Sequence, residues 1–135
     1  MNAPIDKRAL VLFAHGARAA SWAAPFERLR ALIEAQTAVQ QPGTEVALAF
    51  LELMEPRLPE VVSGLVARGV LDVTVVPVFL GQGGHLLRDL PQLAGALRAA
   101  HPGLRLQVAG AVGEDANVLA AMRDYCLSVL GPAPG

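Results

Sequence analysis

The sequence holds one cysteine, Cys126. A single thiol excludes an internal disulfide and any zinc site built on several cysteines. Its position in an apolar helical stretch marks it as expected core filler. Aromatic residues are scarce too: four Phe, one Trp and one Tyr. There is no basic run and no interleaving of aromatic with basic side chains, and the formal net charge is -1. Nothing in that pattern draws the chain to nucleic acid. The apolar runs are short and interrupted by Arg, Asp or Gly, so none is expected to span a bilayer. Met1 to Arg8 is short and polar, unlike a secretory signal. These absences lead to the expectation of a cytoplasmic chain with neither nucleic acid nor membrane as a partner.

What is present is apolar. Hydrophobic residues make up 53% of the 135, which is ample for one domain with a real core. Short β-branched runs alternate with helical periodicity. Strands are expected over about Ala9 to Ala14, Glu45 to Leu51, Asp72 to Phe79 and Leu104 to Ala109. The first helix carries Trp22, Phe26, Leu29 and Ile33 at helical spacing, with Ser21 as its expected N-cap. A second starts near Leu58-Pro59 and stops at Gly69. A third runs from about Leu86 to Ala100, its first turns split by Pro91. The last begins near Glu114 and presents Val118, Met122, Tyr125 and Val129 on one face; Asp115 and Asn117 suit its cap. Four βα units imply an α/β fold: one domain over 1–135, about four parallel strands in a three-layer sandwich of flavodoxin-like type. Residues 1–7 and 131–135 are expected to be loose tails around a core of about 9–130.

Chemistry is expected at the carboxyl ends of the strands, where open α/β sheets bind their ligands. Pro77-Val-Phe-Leu-Gly-Gln-Gly-Gly-His85 runs a buried strand into a glycine turn and then a histidine. Leu10-Val-Leu-Phe-Ala14 runs likewise into His15-Gly16-Ala17-Arg18. His15 and His85 would then share one sheet edge, as metal ligands or as bases near neutral pH. Glu52, at the end of the second strand, would bind metal, orient an imidazole or move protons. Arg18, Arg57 and Arg88 follow strand-end loops and are suited to gripping carboxylates. The plainer readings are a loop acid, ordinary surface arginines and loop histidines bonded to backbone. Glu55 is expected to face solvent, Asp89 to pair or cap, and His101 to serve structure. Gly81, Gly83 and Gly84 would supply unusual backbone angles and a close approach for a ligand.

Several other motifs fail. Gly81-Gln-Gly-Gly84 has no Lys-Ser/Thr after it, so it is no P-loop. There is no Gly-x-Ser-x-Gly for a hydrolase nucleophile. Phe13-Ala-His-Gly16 has Ala14 where histidine phosphatases carry their arginine.

Taken together, the motifs resemble the short form of the sirohydrochlorin chelatases, of the cobaltochelatase and ferrochelatase type. Three segments carry the resemblance: His15-Gly-Ala-Arg18; Phe50-Leu-Glu-Leu-Met-Glu-Pro56 with Leu58-Pro-Glu60; and Pro77 to His85 followed by Asp89-Leu-Pro91. It extends from about Ala9 to Leu130. It implies a chelatase-like half unit that inserts Co²⁺ or Fe²⁺ (or Ni²⁺) into sirohydrochlorin, without ATP or an organic cofactor, on the way to cobalamin or siroheme. The family's paired histidines fall on His15 and His85 and its acidic partner on Glu52. Arg18, Arg88, Gly83 and Gly84 become the expected tetrapyrrole contacts. Ala17 stands where the family has serine and removes a hydroxyl. Longer relatives hold two such units, so a homodimer is implied. The competing readings are a non-catalytic Co or Ni carrier and a histidine phosphoesterase.

Overall fold

The structure is a computed structural model that describes residues 7–81 and 83–134; the side chains of residues 84–87 lie outside the described part. Four strands, β1 (Arg8–Ala14), β2 (Thr44–Phe50), β3 (Asp72–Pro77) and β4 (Arg105–Val108), pair in the order β2-β1-β3-β4, all parallel. The helices are α1 (Ala24–Gln40), α2 (Leu58–Ala67), α3 (Gly84–Ala100) and α4 (Ala116–Leu130). The chain winds one way from β1 to β2 and the other way through β3 to β4. Right-handed crossovers therefore put α1 on one face and α2 with α3 on the other.

Side-chain burial follows that division. Ala9, Val11 and Phe13 of β1 and Val73 and Val75 of β3 meet Leu58, Val62 and Leu65 of α2 and Leu90, Ala94 and Leu97 of α3. On the opposite face Leu12, Ala14, Leu48 and Phe50 meet Phe26, Leu29 and Ile33 of α1. The central strand is thus apolar on both sides, as a covered parallel sheet requires. The helix ends obey local chemistry. Pro25 and Pro59 lie in the first turns of α1 and α2, where a missing N–H costs nothing. Gly69 ends α2 at φ +81°. Its N–H donates to Val66 and that of Val70 to Leu65, the paired bonds of a glycine-terminated helix.

Four local expectations give way. Ser21 lies in a short 3-10 turn, Ala20–Ala23, and α1 is preceded by Ala23 with no side-chain cap; Trp22 is anchored elsewhere and draws that turn out of the helix. Pro91 does not split α3, which runs through it. The face of α3 bearing Leu90, Ala94 and Leu97 is packed on the sheet, and this tertiary burial outweighs the lost backbone bond. Cys126 is exposed rather than buried, because α4 contributes no buried residue. In the cap of α4, Asp115 accepts from the backbone N–H groups of Asn117 (2.9 Å) and Val118 (3.2 Å). Asn117 is thus capped, not capping. Apart from Lys7, the amino-terminal tail expected over 1–7 is outside the described residues; residues 131–134 have no helix or strand.

α4 stands apart from the sheet. Among the described residues it packs on the short turn Val112–Glu114 that precedes it. Met122, Tyr125, Leu127, Val129 and Leu130 are all exposed. The sheet has a matching gap. α1 packs against β2 and β1, and Thr74, Val76 and Val78, which share α1's face, stay half-exposed.

Candidate functional site

The site grows out of the winding. β1 and β3 are neighbours, yet their following helices leave toward opposite faces. Such a divergence, beyond the strand ends, is where this topology places its ligand crevice. The β1–α1 loop brings His15 to one side. The segment after β3 brings the first turn of α3, which holds position 85, to the other. The backbone carrying the two histidines therefore meets at one edge of the sheet. The side chain of His85 lies outside the described part, and Gly84 is the first residue of α3.

His15 is exposed, but its ring rests on Phe79, with centroids 4.4 Å apart and planes at 38°. Phe79 is itself 6% exposed and meets Phe13 edge-on at 6.1 Å. On the other side the indole N–H of Trp22 donates to the His15 carbonyl oxygen at 2.6 Å. Trp22 packs on Phe26, and Phe26 stands T-shaped on Phe50. Sequence reasoning passed over Phe79 and used Trp22 only as a helix marker. The available signal was their rarity: five of the six aromatic residues gather around this one loop.

Glu52 joins through backbone. It lies two residues beyond β2 rather than at its end, and its side chain is exposed. A methyl group on Gly16 would fall 1.6 Å from the Glu52 carbonyl oxygen. Only glycine lets the His15 loop and the Glu52 loop touch so closely. The Leu51 N–H donates to Ala14 at 2.8 Å and the Val78 N–H to Phe13 at 2.8 Å, so the three loops are tied in register just above the sheet. A parallel clasp secures the crevice's far wall: the Gly113 N–H donates to Phe79 at 2.9 Å, and a methyl there would meet Leu80 backbone at 1.9 Å.

The remaining expected residues fall out as follows. Arg18, Arg57 and Arg88 are exposed. Arg18 and Arg88 make no ion pair among the described residues, which leaves their guanidinium groups open to anions. Glu55 is exposed, as expected. His101 approaches Ser63, Nε2 to Oγ 3.4 Å, away from the crevice, in line with a structural role. Gly83 does not need to be glycine for backbone or space: its φ is -65°, and a methyl would meet nothing within 4 Å at Gly81 or Gly83. The special angles expected of that turn are absent there because the helix starts directly from extended backbone. What Gly83 offers is open space before the N–H groups of α3. Among the described residues, no three His, Cys, Asp or Glu side chains group closely enough to hold a metal ion. No described helix is long and apolar enough to cross a membrane.

Chemically, this edge of the sheet can offer the His15 imidazole, the exposed Glu52 carboxylate from a loop tied to it through Gly16, and the exposed guanidinium groups of Arg18 and Arg88. Known proteins share this frame. The family model for CbiX matches residues 9–128. A sirohydrochlorin cobaltochelatase of Methanocaldococcus jannaschii is 34% identical over 69% of this chain and 62% of its own length. One from Methanopyrus kandleri is 34% identical over 64% of this chain and 58% of its own. The chain thus matches less than two thirds of these curated relatives. Among solved structures, a CbiX protein assigned to cobalamin (vitamin B12) biosynthesis in Marinobacter aquaeolei VT8 superposes with a TM-score of 0.76 at 34% identity, over 91% of this chain and 97% of that one. SirB of Bacillus subtilis subspecies spizizenii, a sirohydrochlorin chelatase in complex with cobalt, gives 0.65 at 28% identity, over 87% of this chain and 50% of that one. SirB from Bacillus subtilis with Fe³⁺ gives 0.70 at 25%, over 93% and 48%.

Proposed function

This chain belongs to the CbiX family, and from that premise we propose that it inserts Co²⁺ or Fe²⁺ into sirohydrochlorin, with His15 and His85 as metal ligand and proton acceptor. The observation that carries the reading is the shared carboxyl edge of the sheet. The loop bearing His15 and the helix start bearing position 85 flank the β1–β3 divide, and the chain is similar over most of its length to a SirB structure in complex with cobalt.

Insertion requires two pyrrole N–H protons to leave and metal-bound water to be exchanged for ring nitrogens. Neutral imidazole meets both needs, as a ligand for divalent first-row metals and as a base near neutral pH. A hold with few protein ligands suits a metal that must be handed on. Glu52, its loop tied to that of His15 through Gly16, takes the proton onward or orients an imidazole. Arg18 and Arg88 meet peripheral carboxylates. Ala17 supplies no hydroxyl, so substrate contacts at this turn come from its backbone and from Arg18.

The working unit is a homodimer. This chain corresponds to about half of each SirB chain, 48% and 50%, so two copies supply what SirB carries in one. The exposed apolar face of α4 and the half-covered β3–β4 face are the surfaces a second copy closes.

The test is to mix the purified protein with sirohydrochlorin and Co²⁺, Fe²⁺ or Ni²⁺ and follow the absorption spectrum. Metal-dependent conversion is expected for Co²⁺ or Fe²⁺, and His15→Ala and His85→Ala should each abolish it with an unchanged circular dichroism spectrum. Conversion by both variants at the native rate would sink the assignment. Tight metal binding with no effect on the tetrapyrrole spectrum would instead make the chain a metal carrier.

A further inference from the structure

We infer that Phe79, with Trp22, is a positioning residue for His15, holding its imidazole in the orientation that metal transfer requires; this rests on the role proposed for His15. The two aromatic groups come from opposite sides of the sheet. Phe79 belongs to the core under α2 and α3. Trp22 packs through Phe26 onto Phe50, on the side of α1. His15 sits where these two cores meet, its carbonyl fixed by the Trp22 indole and its ring in tilted contact with that of Phe79.

The physical need is plain. An exposed imidazole has two rotatable bonds and, without support, visits several rotamers. Among the described residues His15 has no side-chain hydrogen bond to select one. Its ring contact with Phe79 is a restraint the described residues do supply. Phe79 can serve because it is nearly buried and is itself braced by Phe13. Trp22 acts one step earlier, on the backbone from which the imidazole projects. Neither is assigned contact with the reacting atoms. Both act by narrowing the positions His15 can take, and a displacement of about 1 Å at such a group lowers a rate by about 10²-fold.

Phe79→Leu keeps the site apolar and removes the flat face. The expected result is a fall in kcat of about 10- to 100-fold with the KM for sirohydrochlorin little changed. The His15 ring protons should also lose the ring-current displacement that a phenyl ring at 4.4 Å produces in the NMR spectrum. Phe79→Tyr keeps the ring and should keep both. Trp22→Phe retains a ring against Phe26 but lacks the N–H donor, and a smaller fall in kcat is expected. Leu65→Ala is the control for general loosening. Leu65 is fully buried in the last turns of α2, near Gly69 and outside the chain of ring contacts to His15, so its loss should lower the melting temperature and leave kcat within about twofold. Native kcat in Phe79→Leu, or an equal fall in Leu65→Ala, would overturn the inference. Continued insertion by His15→Ala would instead overturn the function proposed for His15, so the two failures are separate.

Discussion

Gly16 has no room for a side chain, and this follows from what it holds together rather than from its own backbone. Its α-carbon faces the Glu52 carbonyl, so any larger residue pushes the imidazole loop away from the acidic loop. Gly16→Ala is expected to lose about 1–3 kcal/mol through overpacking and to slow insertion, read by urea unfolding and the spectral assay together. Gly83→Ala is the opposite case. With open space and an ordinary φ, its stability should stay within about 0.5 kcal/mol of the native protein. If Gly83→Ala nevertheless slows insertion, what the glycine provides is access for the substrate. His15, Glu52 and Gly16 were legible as residues because they sit at motif positions just beyond strands. Phe79 was not legible, because a buried phenylalanine next to a strand reads as core until its neighbour is known.

At the scale of elements, strand and helix order could be read from alternating apolar runs, and the observed bounds differ by a residue or two at most ends. β3 stops at Pro77 instead of running on to Phe79. This releases Phe79 from the ladder to lie against His15. The stop of α2 was readable because a left-handed turn favours glycine. Gly69→Ala should cost about 1–2 kcal/mol, seen as a lower midpoint in chemical unfolding with an unchanged slope. The start of α1 and the continuity of α3 depart from local rules for one reason. Local rules for serine caps and interior proline are worth about 1–3 kcal/mol, and tertiary contacts of Trp22 and of the Leu90-Ala94-Leu97 face were enough to decide otherwise.

For the molecule as a whole, the unresolved balance is that of α4. A helix with Tyr125, Leu127, Val129 and Leu130 largely exposed forgoes up to about 1.5–3 kcal/mol for each large apolar side chain it fails to bury. The sheet beside α1 leaves its own apolar residues half-covered. A second copy, as proposed, would relieve both, and twofold pairing is the common closed arrangement. The native protein is expected to sediment as a dimer. Replacing Met122 and Tyr125 together by Asp should yield a monomer with native secondary structure and strongly reduced insertion. A monomeric native protein with full activity would contradict this reading.

The order of elements, the parallel sheet and the positions of the imidazoles and Glu52 along it are properties of the sequence alone, because periodicity, glycine stops and strand-end motifs act over a few neighbouring residues. Only the tertiary structure decided that Gly16 presses on Glu52, that Phe79 and Trp22 converge on His15, and that α4 leaves its face uncovered. Each depends on which residues distant in the chain come into contact, and packing selects those contacts across the sheet as a whole.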